Sequence, residues 1–581
     1  MAYLILTWPG RPRPGSYDAI LAKASDQGLV VAHSGRCWTL LADGRERVGA
    51  LGNEGLVLGD LFRRDGHRAG LDRIGWPPGT AVEAIGRDLA REFWGRYLVL
   101  AAGEDGGDLR FFRDPSGGVP CLHARSDGYD VVASDMAASL GLGLFQPEID
   151  WAYVAHHVAY NGARSQRTGL VGVNELLPGQ VLVVSGQNVE ITSYWRPADV
   201  LRHKPFSEPR QAAEALFSAI ERTVGALAGV ESSIVIELSG GMDSSIIAMA
   251  LRRRARTFAV NCATQGPEGD ERRYARQVAD AAGFPLTEHE LNPADIDFTR
   301  LPAPWMARPG RTTVLQSVDA VFGEEGRRVA ASAFFNGTGG DSIFFYTQSA
   351  APATDRLFAE GPGMGFFETV GDVADLTGAS VWRAGYAAIK LALKGRSAYQ
   401  PSGHPELIAE RYRPDEPEPH PWLEGLEKAS PGRLRHIRGI VAVHGHVDGH
   451  DRNQVAPVIA AHAGQLVLEA VLKTPTWMWV AQGRDRAIAR EAYAGLLPRD
   501  IYNRRSKGRI NRFITEAYEA NRSVIRTVLH DGVLARHGVI NLTAVDKILA
   551  APLVLDDTAF MGLIRLVDVE LWAQGWTRAI A

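Results

Sequence analysis

The sequence predicts an α/β protein built in two parts. Three observations carry that expectation. Residues 1 to about 195 contain short apolar runs bounded by Gly, Asp or Pro, a pattern of strands and turns. From about residue 207 onward, helical and strand patterns alternate, which predicts a parallel sheet with crossover helices. Between them, "RPADVLRHKPFSEP" (196–209) is polar and proline-punctuated, as a linker would be. The expected division is 1–195, a linker at 196–209, and 210–581.

Each element has a local reason. In the first part "RYLVLAAG", "LRFFRD", "YDVVAS" and "GQVLVVSG" are apolar, β-branched or aromatic runs closed by turn residues, and "AVEAIGRDLAREFWG" has helical spacing. In the second part "EPRQAAEALFSAIERTVGAL" is helical and "SSIVIEL" is a buried strand. "DSSIIAMALRRR" is helical, "TFAVNCAT" is a strand, and "ERRYARQVADAAG" is again helical. Residues 350–420 are rich in Gly and Pro and show no clear period.

Bulk properties exclude several classes. The chain has 581 residues, enough for two to four domains with substantial cores. It is 45% hydrophobic and 22% charged, the balance of a globular protein. A formal net charge of −4 gives no general case for nucleic-acid or membrane binding. Cys37, Cys121 and Cys262 are odd in number and widely spaced, which argues against a disulfide framework or a cysteine zinc site. "MAYLILTWPGRPRPG" is a poor signal peptide, and no apolar run is long enough to span a bilayer. A cytoplasmic location is the expectation.

The stretch "LSGGMDSS" (238–245) lies between the strand "SSIVIE" and the helix "IIAMALRRR". A strand, a glycine-rich turn and a helix start make an anion site, because glycines bring backbone N–H groups close and the helix N-terminus adds positive charge. Ser239, Ser244 and Ser245 can donate hydroxyls to phosphate oxygens. Asp243 would repel phosphate unless a cation lies between them, which points to Mg²⁺. The same residues also suit a capped helix after a tight turn.

No GK[ST] follows, so the loop is not a Walker A motif. It resembles the pyrophosphate-binding (PP-loop) motif of the ATP pyrophosphatase superfamily. "FAVNCATQGPEGDERRYARQVADAAGFPLTEHEL" resembles the segment that follows this loop in asparagine synthetase, and "FFNGTGGDSIFFY" (334–346) resembles that family's second phosphate-site loop. The resemblance implies ATP and Mg²⁺ as cofactors. It places Leu238, Ser239, Gly240, Gly241, Asp243, Ser244, Ser245, Val260, Gly337, Gly339 and Gly340 at the nucleotide, with Asp243 and Asp341 on the metal. "GRDRAIAREAYAGLLPRDIYNRRSKGR" (483–509) is similar to the family's G-x-x-K-x-x-x-R…LP…R-x-K segment. That match makes Lys507, preceded by Arg505, a cation stabilising the transition state. Thr338 stands where the family has glutamate, which leaves the base for the amine unassigned.

The first part is similar to the N-terminal glutaminase domain of the same synthetases, which implies an α/β/β/α sandwich of two antiparallel sheets between helices. Glutaminases of this kind use a cysteine as first mature residue, with its own α-amine as base. This chain begins Met1-Ala2-Tyr3, and its nearest cysteine is Cys37 in "GRCWTL", so the glutaminase is expected to be inactive. Ammonia from glutamine is then not the nucleophile. The "G-x-D-R-x-x-x-R…LP…R-x-S-K-G" pattern, met by residues 483–508, resembles lasso peptide cyclases, as do "QLVLEAVLKTPTW" (465–477) and "LGNEGLVLGDLFRRDG" (51–66).

That resemblance implies an AMP-forming carbon–nitrogen ligase. It would adenylate an Asp or Glu side chain of a core peptide and join it to the N-terminal amine as a macrolactam. Implied partners are the precursor peptide, a leader peptidase and a leader-recognition protein, with no nucleic acid and no membrane. An ammonia-dependent asparagine synthetase, a β-lactam-forming synthetase and a catalytically silent nucleotide-binding scaffold are the alternatives. "VHGHVDGHDRNQ" (443–454) collects His444, His446, Asp448, His450 and Asp451, which as an extended strand could reach one metal ion. A lining of the substrate cavity and plain helical structure are the competing readings, and His446, Asp448 and His450 are the candidates for the base.

Overall fold

A computed structural model describes residues 3–580 apart from 46, 53, 78, 104–105, 162, 267–268, 303–305, 311, 395–402, 506–510 and 554–558. The first part forms twelve strands: β1 (Tyr3–Thr7), β2 (Val30–Ser34), β3 (Trp38–Ala42), β4 (Val48–Leu51), β5 (Gly55–Arg63), β6 (Phe93–Ala102), β7 (Leu109–Arg113), β8 (Leu122–Ser126), β9 (Tyr129–Ala133), β10 (Val173–Glu175), β11 (Gln180–Ser185) and β12 (Asn188–Ser193). They pair into two antiparallel six-stranded sheets, ordered β10-β8-β9-β1-β3-β2 and β12-β11-β7-β6-β5-β4. Leu4 and Leu40 of the first sheet share one core with Leu58, Leu98 and Phe111 of the second. The helix Val82–Glu92 covers the other face of the second sheet, where Ile85 and Leu89 meet Val57, Tyr97 and Phe112. Each such buried side chain contributes about 1.5–3 kcal/mol.

The second part carries β13 (Ile234–Glu237), β14 (Thr257–Ala263), β15 (Leu286–Glu290), β16 (Ala333–Phe335) and β17 (Val458–Ile459). They form one parallel sheet in the order β15-β14-β13-β16-β17. From β13 the chain runs through the helix Met242–Leu251 to β14, then through Arg272–Ala282 to β15. It returns through Gln316–Arg328 to β16 on the opposite side of β13. Strand order therefore reverses beside β13, and a ligand crevice is expected at the carboxyl ends of β13 and β16.

The two parts pack together directly. Leu122 and Ala124 of β8 share a core with Val154 of the helix Trp151–Ala159 and with Leu563 and Trp572 of the C-terminal helix Ala559–Ile580. The stretch expected to be a linker contains a short helix, Pro197–Leu201, with Ala198 and Val200 buried. Proline opens that helix instead of breaking it, since the first helical position needs no N–H partner. Residues 350–420, without a legible period, hold the helices Ala351–Glu360, Met364–Thr377 and Val381–Lys394. Among the described residues no helix is long and apolar enough to cross a membrane.

Candidate active site

The loop after β13 is shaped by glycine. Gly240 has φ 76°, and a Cβ there would lie 2.8 Å from Tyr274 Cβ and 2.9 Å from the Ala275 nitrogen. Only glycine meets both demands. Gly241 caps the helix Met242–Leu251, whose first turn holds Asp243 and presents its N-terminal N–H groups. Leu238 continues the sheet by donating to the Val260 carbonyl at 2.9 Å. Ser239 Oγ and Ser244 Oγ lie 3.0 Å apart.

The loop after β16 interlocks with the first. A Cβ on Gly337 would come within 2.6 Å of the Ser244 nitrogen, and one on Gly340 within 2.3 Å of Asp243 Cγ. Gly339 turns the chain at φ 85°. The two glycine loops thus seat against each other and bring Asp243 and Asp341 to one cavity of about 560 Å³. Leu238, Ser239, Gly241, Ser244, Val260, Gly337, Gly339 and Gly340 line it as well. Ser245 is not brought there. At 100° per residue it cannot share a face with Ser244, and its hydroxyl donates to the Gly241 carbonyl at 2.6 Å. Gly240 supports the loop from behind, against Tyr274, and does not line the cavity.

Arg486 ties the two loops together. Its Nη1 donates to Asp341 Oδ1 at 2.7 Å and lies 3.3 Å from both carboxylate oxygens of Asp243. Its Nε donates to Asp485 Oδ1 at 2.9 Å. Burial opposes the charge, yet Asp243, Asp485 and Asp341 outweigh it and hold the Arg486 pKa above its ordinary value. Arg486 has φ 50°, a left-handed conformation at a non-glycine residue that is sparsely populated and concentrated at functional sites. It stands at the lysine position of the G-x-x-K pattern and at the first arginine of the G-x-D-R-x-x-x-R pattern, the signals in the sequence that could have marked it.

Asp243 and Asp341 also suit a divalent cation. Two carboxylates from separate loops, facing one cavity, are the donor set a hard cation shares with phosphate oxygens. Arg505 is placed differently from the expectation. It is exposed, beside Arg273, Asp500 and Asn503 on open surface, and does not line the cavity. Its neighbour Arg504 does, donating to the Gly240 carbonyl at 3.1 Å and pairing with Glu271. Lys507 lies outside the described residues.

The histidine-rich stretch does not form a strand. It continues the helix Pro431–Val443 as the short turns His444–His446 and Asp451–Gln454, which fan the side chains apart. Among the described residues no group of three His, Cys, Asp or Glu side chains could hold a metal ion, so the metal reading is set aside. His446 and His450 line the loop cavity. His450 Nδ1 is 3.5 Å from Asp319 Oδ1. Burial first, then the Arg565 charge, lower the His446 pKa, so its imidazole is neutral at pH 7. Asp448 Oδ2 accepts from Arg164 Nη2 at 2.9 Å and from Arg308 Nη2 at 3.0 Å.

Those two arginines belong to a buried ion network. Glu175 Oε1 accepts from Arg113 Nη1 at 2.7 Å and Arg164 Nη2 at 2.6 Å. Its Oε2 accepts from Arg164 Nε at 3.0 Å and pairs with Arg308 Nη1 at 2.6 Å. The network runs from β7 and β10 of the first part to the histidine stretch of the second.

A second cavity, of about 650 Å³, adjoins the first and shares Ala442 and His446 with it. Its walls are mixed, with Arg308, Arg438, Arg565 and Glu416 beside Val158 and Val569. Among the described residues no cysteine lines this second cavity, while Cys262 lines the loop cavity. Burial, first among the causes, pushes Cys37 up to about 11 and Cys121 and Cys262 up to about 12.

Residues 80–195 match the glutamine amidotransferase domain family. No curated protein sequence matches the chain. Among solved structures, the chain is similar to the allosteric regulatory enzyme of purine biosynthesis, with 12% identity, 58% of this chain and 83% of that chain covered, and a TM-score of 0.21. It is also similar to glutamine phosphoribosylpyrophosphate amidotransferase from B. subtilis complexed with ADP and GMP, with 12% identity, 49% and 59% covered, and a TM-score of 0.18. Residues 216–422 and 461–574, together more than half of the chain, match the asparagine synthase family, and the protein therefore belongs to that family of ATP-dependent amide-forming ligases.

Proposed function

We propose that the protein is an AMP-forming macrolactam synthetase of the lasso peptide cyclase type. The observation that carries this reading is the second cavity. Its volume of about 650 Å³ has room for a segment of a peptide, and it meets the loop cavity at Ala442 and His446. A peptide held there reaches the adenylation site without leaving the protein. Arg308, Arg438 and Arg565 provide cations for the carboxylates of such a peptide.

The mechanism follows from the placement of these groups. The triphosphate of ATP lies over the interlocked glycine loops, with the helix N-terminus and the Ser239 and Ser244 hydroxyls toward it. Asp243 and Asp341 would hold Mg²⁺, which when bound neutralises phosphate charge. An Asp or Glu carboxylate of the core peptide attacks the α-phosphorus, forming the acyl–AMP bond and breaking the bond to pyrophosphate. Arg486 and Arg504, both lining the loop cavity, present their charge to the leaving group. Lys507 is the further cation the family resemblance assigns.

The N-terminal amine then attacks the acyl carbon, the amide forms, and AMP leaves with the bonding pair. His446, neutral and shared by both cavities, takes the amine's proton in this scheme. Holding the amine and the acyl group together offsets the entropy of ring closure. The amidotransferase-like part serves as a scaffold. Its Cys37 and Cys121 thiols are buried and pushed up in pKa, which leaves them weakly nucleophilic. A leader peptidase and a leader-recognition protein are the proposed partners.

The test measures AMP and pyrophosphate from Mg·ATP with a leaderless core peptide, and separately with aspartate plus ammonia. Peptide-dependent AMP with loss of one water from the peptide is the expected result. AMP formed only with aspartate and ammonia overturns the proposal in favour of an asparagine-forming enzyme.

A further inference from the structure

The helix Val381–Lys394 carries apolar side chains that the fold does not use. Trp382 is 88% exposed, Tyr386 67%, Ile389 48% and Leu393 83%. Their spacing is four, three and four residues. At 100° per residue they fall within about 60° of arc and run about 16 Å along the helix. Isolated exposed apolar residues are ordinary, but four in one seam are not.

The helix has three distinct faces. Ala384 and Ala388 are buried in a core with Phe366, Val370 and Val373, and the Ala388 carbonyl accepts from Thr354 Oγ1 at 3.0 Å. That face fixes the helix on its neighbours Ala351–Glu360 and Met364–Thr377. The second face is the apolar seam. The third is basic, with Arg383, Lys390 and Lys394 exposed, and Lys390 Nζ sits 5.8 Å from the Tyr386 ring centre. No acidic residue occurs in the helix.

The spacing is that of a coiled-coil seam. Trp382 and Ile389 take d positions and Tyr386 and Leu393 take a positions of a heptad. Arg383 and Lys390 then both fall at e, the flank where helices exchange ion pairs, while Gly385 and Ala392 fall at g. The charges choose among occupants. A second copy packed antiparallel would set e against e, cation against cation. Packed parallel, it would set Arg383 and Lys390 against glycine and alanine. An interfacial helix also sets cations beside its apolar face, but that face is wider than this seam of about 60°. A helix with carboxylates beside its own apolar seam satisfies both the shape and the charge.

We propose that the helix Val381–Lys394 is a docking surface for an acidic-flanked amphipathic helix of a partner protein. Trp382, Tyr386, Ile389 and Leu393 interdigitate with it, and Arg383 and Lys390 select it.

The test uses the full chain and two labelled synthetic heptad peptides, each with Ile at a and Leu at d. One has Glu at e and g, and the other has Lys there. Like charges on both flanks keep each peptide from pairing with itself. Fluorescence anisotropy should show the Glu peptide binding at least about tenfold more tightly than the Lys peptide. Leu393→Asp should weaken the Glu peptide by about tenfold or more, and Arg383→Glu with Lys390→Glu should invert the preference. Far-UV circular dichroism and ATP turnover should be unchanged in these variants, which separates this surface from the active site. Equal binding of the two peptides, no binding of either, or binding unaffected by Leu393→Asp would overturn the proposal. Self-association that Leu393→Asp abolishes would overturn it in favour of a second copy, and sedimentation with anionic phosphatidylglycerol vesicles without peptide preference would do so in favour of a membrane.

Discussion

Replacing Glu175 by glutamine keeps the side chain's shape and removes one charge from the centre of the buried network. Glu175 and Arg164 are each 3% exposed at the side chain, Arg113 2% and Arg308 10%. In the wild type, three guanidiniums face two carboxylates, Glu175 and Asp448. The variant leaves three facing one, and the new amide directs N–H toward an arginine that needs an acceptor. Breaking a buried ion pair in this way costs about 3–5 kcal/mol. For a cooperative unit of a few hundred residues, that corresponds to roughly 6–20 °C in thermal midpoint. Calorimetry of Glu175→Gln should show that drop in the transition containing the amidotransferase-like part. Adding Arg308→Met removes the stranded cation with its lost partner, so the double variant should recover a good part of the loss. A midpoint within about 2 °C of wild type for Glu175→Gln, or a double variant that is simply the sum of the singles, would refute the reasoning.

Four further outcomes are expected. Asp341→Asn and Asp243→Asn should each lower pyrophosphate release by about a hundredfold or more with the fold intact, measured by coupled assay and circular dichroism. Gly340→Ala should weaken ATP binding severely in calorimetric titration, because its Cβ would fall 2.3 Å from Asp243 Cγ and push the two loops apart. His446→Asn should slow amide formation and AMP release more than pyrophosphate release, measured by product analysis in single turnover. Because burial lowers the His446 pKa from its ordinary 6.5, the wild-type rate should be flat above that pH and fall only in more acidic solution.

Stability should likewise fall in acid. Burial depresses His157 and His462 to about 4 and His420 and His436 to about 3, so below pH 6.5 the unfolded chain binds protons that the folded chain does not. Denaturation midpoints should be constant above pH 6.5. Below it, stability should fall at a slope approaching about 1.4 kcal/mol per pH unit for each histidine.

What the sequence revealed was what short stretches decide for themselves. The parallel strands and the two glycine loops were legible because β-branched runs and glycine turns are local statements. Asp243, Asp341 and their glycines come from those two loops, and the structure seats them together. Ser245 belongs to the motif, but its hydroxyl turns back to the Gly241 carbonyl. Arg504, one residue before Arg505, reaches the loop cavity because its guanidinium turns to the Gly240 carbonyl and to Glu271. Arg486 was overlooked because its importance arises only when residues 243, 341 and 486 meet in space. The Glu175–Arg308–Asp448 network is more distant still, and no window of the chain contains it. The helices at 351–394 were hidden by the glycines between them. Gly361 and Gly378, at φ 79° and 68°, end helices there and do not mark a loop.

The interlocked glycine loops also bear on how such a protein diversifies. Gly337 and Gly340 leave no room for a side chain against Ser244 and Asp243, so neither loop can drift without the other. The adjoining cavity is assembled from stretches scattered over the chain, including 157–161, 415–423 and 562–569, and outside the Arg164 and Arg308 network these are less tightly coupled to one another. One half of the chemistry is locked as a unit while the other half stays free to be reshaped. A lineage with this arrangement can exchange one acceptor for another and keep the same engine for activating it.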